Sequence, residues 1–182
     1  FLFIPRHKSY DRVGSPERAG EGGRMVGRFQ ALLSDLGDPP LHETIPFFHN
    51  SEKRLETLYT KVREDCAGRV KSVLNELAFV DERAGKMTKI QSLGREGKIP
   101  VRITHNDTKF NNILFDEQTG KALCIIDLDT VMPGHIHYDF GDAIRTAANK
   151  GAEDDADLSK VEIDMGIFRA YTLGYLSEIK RY

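Results

Sequence analysis

Asp107, Lys109 and Asn112 fall together in "HNDTKFNN", directly after the short stretch "VRIT". A carboxylate, an amine and an amide oxygen at this spacing are the groups that moving a phosphoryl group from a nucleotide to a hydroxyl requires. Asp107 can orient and deprotonate the hydroxyl. Asn112 offers an oxygen to magnesium, which prefers hard oxygen ligands and usually takes only one or two carboxylates beside phosphates and water. Lys109, two residues after the aspartate, can reach the phosphates.

A second magnesium ligand must come from elsewhere, and "IIDLDTVMPGHIHYDFGD", Ile125 to Asp142, holds four aspartates. The runs "ILF" and "ALCII" read as strands paired across the turn "DEQTG". That hairpin begins at Asn112 and returns the chain beside it as Asp127 appears. A carboxylate at the end of a buried strand needs a compensating partner, and a metal would serve. Asp139 stands at the head of "DAIRTAANK", where aspartate is a preferred N-cap, so it reads as structural. The triplet Asp139-Phe140-Gly141 is thus a decoy, and Asp127 is the expected ligand.

The elements that must place these groups are legible in outline. "FLFIP" reads as a short buried strand ended by Pro5, followed by a polar connector. Ser15 and Pro16 form an N-cap and first helical residue. Met25, Val26, Phe29, Leu32, Leu33 and Leu36 then recur at helical spacing until Gly37, Pro39 and Pro40. The glycines of "AGEGGRMVGR" lie inside that period, so close helix packing is expected there and not a phosphate loop. "LHETIPFFHN" is a loop, and helical segments follow from Asn50 or Ser51, from Val70 to Leu77, and from Met87 to Leu93. "VRIT" is a strand, "ALCII" a strand buried on both faces, and "IFRAYTLGYLSEIK" a helix with Tyr171 and Tyr175 in the core or at an interface. Short strands among helices predict an α+β fold.

Composition narrows the function classes. The 182 residues are 40% hydrophobic and 30% charged, with formal net charge −2. That balance gives no electrostatic reason to expect a nucleic-acid partner. No apolar run reaches the roughly 20 residues that span a bilayer, so no membrane association is expected. Cys66 and Cys124 sit in no CxxC or Cys/His pattern, which points to a reduced, cytoplasmic setting. His135 and His137 alternate, but no further Cys or His at ligand spacing accompanies them. His105 is expected to hold its loop, and the acidic run "AEDDADLS" to be an exposed loop. Arg145 faces either the catalytic loop or a surface ion pair. The sequence assigns no oligomeric state.

"HNDTKFNN" resembles the His-x-Asp-x-x-x-x-Asn loop of protein-kinase-like enzymes, and "IIDLD" resembles the strand end of their small-molecule branch, the aminoglycoside phosphotransferases and choline kinases. Within it the stretch Thr104 to Thr146, with "LHETIPFFHN" upstream, is most similar to the N-acetylhexosamine 1-kinases. The resemblance implies a protein-kinase-like fold, mostly the helical C-terminal lobe with a short catalytic hairpin. It implies Asp107 as base, Asn112 and Asp127 as magnesium ligands with Asp129 assisting, Lys109 on the phosphates of ATP, and Asp139 bonded to the catalytic-loop backbone. The implied substrate is a small molecule, a sugar phosphorylated at its anomeric hydroxyl.

The chain departs from that pattern at its start. It opens on Phe1 and stops inside a helical pattern at "LSEIKRY", which reads as an internal fragment or a processed product. Residues 1–13 are then the last strand of an N-terminal lobe and its hinge, and 14–182 a truncated C-terminal lobe. The phosphate-covering loop and strand lysine of kinases are not in it. Two alternatives stay open: a kinase of another small acceptor (choline, homoserine, an aminoglycoside), or a pseudokinase-like binding fragment that keeps the loop for architecture alone.

Overall fold

The computed structural model describes residues 3–36, 41–151 and 155–179. In chain order its elements are β1 (His7–Lys8), α1 (Pro16–Leu32), α2 (Ser51–Glu64), α3 (Leu74–Met87), α4 (Lys89–Arg95), β2 (Arg102–Thr104), β3 (Ile113–Asp116), β4 (Ala122–Ile125), β5 (Met132–Gly134), α5 (Ile136–Ala147) and α6 (Met165–Ile179). Two compact units result, one from residues 1–44 and 101–182, the other from 45–100.

In the first unit α1 starts as the sequence predicts. Ser15 is extended and its hydroxyl accepts the Arg18 N–H at 3.3 Å, while Pro16 occupies the first turn, where its missing N–H costs nothing. The helix ends at Leu32, short of the expected limit, and a turn follows; Gly37, Pro39 and Pro40 lie outside the described residues. The glycines of α1 pack as expected. A methyl group on Gly23 would collide with the Tyr171 carbonyl of α6, and one on Gly27 would meet the Tyr175 carbonyl at 2.6 Å. Bare backbone on α1 therefore lets α6 lie directly against it.

β3 is the centre of a three-stranded antiparallel sheet, with β1 and β4 at its edges. The "FLFIP" strand is displaced: Phe3 is exposed, and the pairing falls on His7 and Lys8, opposite Asp116 and Phe115. Pro5 has no N–H to give a ladder, so pairing begins beyond it. β4 is not buried on both faces. As an edge strand it buries Ala122 while Leu123 stays 39% exposed. A second sheet pairs β2 with β5, with Thr104 opposite Met132. β5 contains Pro133 and Gly134, residues that seldom occupy a strand interior. The core of this unit gathers Val26, Phe110, Ile113, Phe115 and Tyr171 between α1, the hairpin and α6.

The second unit is helical. Asn50 caps α2 through the Lys53 N–H at 2.9 Å. Within the unit the Arg95 guanidinium makes a two-pronged pair with Glu52, and Tyr59 donates to Asp81 at 2.8 Å. Among the described residues no helix is long and apolar enough to cross a membrane.

Candidate active site

Every sequence-predicted site residue lies in the first unit, on the loop after β2 and at the two ends of the β3–β4 hairpin. Strand register sets the geometry. Ile113 pairs with Ile125, and the Ile126 N–H donates to the Asn112 carbonyl at 2.9 Å. Asn112 thus stands directly across from Ile126, with Asp127 next in the chain. The hairpin brings Asn112 and Asp127 together as predicted.

Asn112 also faces Asp107. Its Nδ2 donates to the Asp107 carbonyl at 2.9 Å and to Asp107 Oδ2 at 3.2 Å. The amide nitrogen is thereby turned toward Asp107, and its oxygen is left for another partner. Lys109 Nζ lies 3.6 Å from Asp107 Oδ1. Asp127 is exposed and left-handed, with φ 63°, a conformation that costs a non-glycine residue of order 1–3 kcal/mol. Among the described residues its carboxylate has no hydrogen-bond or ion-pair partner. Asp129 is exposed in the turn that follows, and its carbonyl accepts the Thr44 hydroxyl at 3.1 Å.

An unpaired carboxylate held in strained backbone beside a free amide oxygen is a donor set suited to magnesium in the company of phosphates. Asn112 and Asp127 would hold the ion, with Asp129 within the same turn. Among the described residues no three His, Cys, Asp or Glu side chains form a metal-binding group. Burial, then neighbouring His135, pushes the pKa of His137 down.

His105 locks the loop to the hairpin. It is fully buried, and its Nε2 lies 3.0 Å from the Ile126 carbonyl while its Nδ1 lies 3.3 Å from the Asp107 N–H. A carbonyl only accepts and an amide N–H only donates. The ring therefore carries its proton on Nε2 and uses Nδ1 as acceptor. One imidazole thus spans the residues just before Asp127 and Asp107, in the structural role expected of it.

Asp139 differs from expectation in position and matters more than an N-cap would. α5 begins three residues earlier, at Ile136, so Asp139 lies inside its first turn. Fully buried, it accepts the His105 N–H at 3.0 Å and Gln30 Nε2 at 2.7 Å on Oδ2, and the Asn106 N–H at 2.7 Å on Oδ1. Burial pushes its pKa up; the three N–H donors, with neighbouring His105, oppose that. The backbone role implied by the resemblance is the one observed.

Asn106 and Thr130 were missed by sequence reasoning. Asn106 is left-handed, φ 67°, and its amide donates to the Thr130 carbonyl at 2.9 Å; the Thr130 hydroxyl returns a bond to the His105 carbonyl at 2.7 Å. Their signal was weak: an asparagine between His105 and Asp107 tolerates positive φ. Gln30 was missed too, though a polar residue beside Val26 and Phe29 on an apolar stripe was a visible anomaly. Tyr171 is fully buried, and among the described residues its hydroxyl has no hydrogen-bond partner. Burial, then the charge of Asp139, pushes its pKa well up.

A cleft of roughly 630 Å³ opens beside Lys109. Val13, Phe110 and Ile167 contribute apolar surface, while Arg12, Lys109, Arg145 and Lys150 outnumber Asp11 and Asp164 around it. Arg145 forms the surface ion pair, with Asp142 at 2.9 Å.

The fold is similar to that of Plasmodium vivax ethanolamine kinase, with a TM-score of 0.56 over 96% of this chain at 17% identity. The match covers 49% of that protein, so the chain spans about half the length of this relative. The fold is α+β and protein-kinase-like. Residues 3–171 match the phosphotransferase enzyme family, APH. With the match running through nearly the whole chain, this protein belongs to the phosphotransferase enzyme family.

Proposed function

We propose that this chain carries the catalytic core of an ATP- and magnesium-dependent kinase, which phosphorylates a small-molecule hydroxyl, the anomeric hydroxyl of an N-acetylhexosamine. The observation that carries the reading is the Asp107–Asn112–Asp127 arrangement. Asn112 turns its nitrogen to Asp107 and is bonded across the hairpin to the residue before an unpaired Asp127.

In this reading Asp107 accepts the acceptor hydroxyl's proton as the hydroxyl oxygen attacks the terminal phosphorus of ATP in line; the bond from that phosphorus to the bridging oxygen breaks, and ADP leaves with its electron pair. Lys109 swings from Asp107 to the phosphates. Asn112 and Asp127, with Asp129 assisting, would hold a magnesium ion, which when bound would neutralise phosphate charge. Catalysis by the protein is otherwise positioning, which the buried bonds around His105 and Asp139 serve.

The choice of a neutral sugar rests on the likeness of residues 104–146 and of "LHETIPFFHN" to the N-acetylhexosamine 1-kinases. The unbridged cysteines fit work in the reduced cytoplasm. The test is incubation of the protein in its full chain with ATP, magnesium and a panel of N-acetylglucosamine, N-acetylgalactosamine, choline, ethanolamine, homoserine and an aminoglycoside, followed by phosphorus NMR. A new anomeric phosphate supports the proposal. Transfer to another acceptor keeps the kinase and overturns the sugar. Binding of magnesium-ATP without transfer to any acceptor overturns both and favours a pseudokinase.

A further inference from the structure

Gln30 sits within α1, far in sequence from every candidate catalytic residue, yet it bonds the group that holds their loop. Its Nε2 donates to Asp139 Oδ2 at 2.7 Å and, more weakly, to the Ile136 carbonyl at 3.4 Å. Its Oε1 accepts the Tyr175 hydroxyl at 2.6 Å. A glutamine amide can be turned over, and here the turn would set its oxygen against the Asp139 carboxylate, acceptor against acceptor. The acceptor-only Asp139 carboxylate selects the orientation in which Nε2 donates to it, and the Tyr175 hydroxyl, able to donate or accept, donates to the Oε1 so placed. Gln30 and Tyr175 are each only 5% exposed, which leaves bulk water little access to replace either bond.

Asp139 carries the constraint onward. Oδ2 accepts the His105 N–H and Oδ1 the Asn106 N–H, the latter on a left-handed residue that needs holding. Asp107 follows at once, its own N–H on the His105 ring. The line of bonds therefore runs from α6 through α1 and α5 to the backbone of residues 105–107. Joining α1 to α6 does not require it, because the glycine contacts at Gly23 and Gly27 already do so.

We infer that Tyr175 and Gln30 are positioning residues for Asp107, fixing the catalytic-loop backbone through Asp139 and so aiming the Asp107 carboxylate. The inference rests on the reading of Asp107 as the base. It is tested on the full chain with Tyr175→Phe, which removes one hydroxyl from a ring that otherwise packs unchanged, and separately with Gln30→Met. Two readouts are taken: amide hydrogen exchange at His105, Asn106 and Asp107 by NMR, and kcat with KM for ATP.

The expected result is exchange about tenfold faster at those three amides, with α1 and α6 unchanged, since losing a buried bond is worth of that order. With it, kcat should fall about tenfold at unaltered KM for ATP. Unchanged exchange at 105–107 would overturn the inference. So would equal acceleration throughout α1 and α6, the mark of a purely structural pair, or faster loop exchange with full kcat. Failure of the wild-type protein to transfer phosphate to any acceptor would instead overturn the proposed function. The exchange measurement would then still decide whether Tyr175 and Gln30 fix the loop.

Discussion

Asp139 fixes Asn106 in the left-handed backbone conformation that asparagine tolerates. Its Oδ1 accepts the Asn106 N–H at 2.7 Å, and Asn106 sits at φ 67° under that bond. Left-handed non-glycine residues persist where their surroundings over-determine them. Here Asp139 grips the backbone and the Thr130 carbonyl grips the side chain.

Asp139→Asn should be destabilising out of proportion to its size. The amide would present a donor where the carboxylate accepts N–H groups on both oxygens. Hydrogen bonds to a charged group contribute about 1.5–3 kcal/mol each, and a buried unpaired donor costs a similar amount. The expected loss of unfolding free energy is therefore about 2–4 kcal/mol, read from urea denaturation. A variant within 0.5 kcal/mol of wild type, roughly the scatter of neutral surface changes, would show that the three bonds are not maintained in solution.

Asp107→Asn should cut turnover about 10²- to 10⁴-fold, the usual contribution of a general base. Affinity for ATP should change little, because Asp107 is assigned to the acceptor hydroxyl. Steady-state kinetics with a separate nucleotide-binding titration check both halves. Near wild-type turnover would remove Asp107 from its role.

Asp127→Gly separates stability from function. Glycine adopts φ 63° without the steric cost, so relief of about 1 kcal/mol, offset by glycine's greater chain entropy, should leave stability unchanged or slightly raised. The magnesium concentration for half-maximal activity should rise at least about tenfold, as for loss of a ligand in an oxygen site. A metal titration superimposable on wild type would contradict the assignment.

Glu21 links α1 to β4 and makes acid stability measurable. It accepts Arg24 Nη2 at 2.9 Å, the Ala122 N–H at 3.1 Å and Lys121 Nζ at 3.1 Å. Burial alone would raise its pKa, but these donors together outweigh burial and bring it down to about 2. A carboxylate whose folded pKa is depressed stabilises the fold above its unfolded value, near 4.5, and loses that contribution as pH falls toward 2. The stabilisation at neutral pH amounts to about 3 kcal/mol. Asp139, raised by burial, acts with the opposite sign. The quantity to measure is therefore the stability difference between wild type and Glu21→Gln, which should shrink between about pH 4.5 and 2.

The local part of the site was readable before the structure. Asp107 and Asn112 are five residues apart, and the hairpin that returns Asp127 to Asn112 turns within "DEQTG"; short-range pattern and turn chemistry determine both. β1 was misplaced because two residues form a strand only through their partners, here Asp116 and Phe115 on β3. β5 is hidden for the same reason: Pro133 and Gly134 are poor strand formers, and only pairing with β2 makes them a strand. Asp139 was assigned to an N-cap by local preference. Its actual partners, His105, Asn106 and Gln30, are set by tertiary packing that no window of sequence displays. The α1 glycines were read correctly because their period matched the helix, though what they pack against was not visible.

The bond from Tyr175 to Gln30 joins positions 145 residues apart, which gives the protein a direction of assembly. A chain made from its N-terminus at ~5–20 residues per second presents the whole catalytic loop seconds before Tyr175 is added. During that interval the Gln30 Oε1 lacks the Tyr175 hydroxyl, and α1 exposes the bare backbone of Gly23 and Gly27 that α6 will cover. The bond that closes the line from α6 to the catalytic loop would therefore form only after the loop itself has been made.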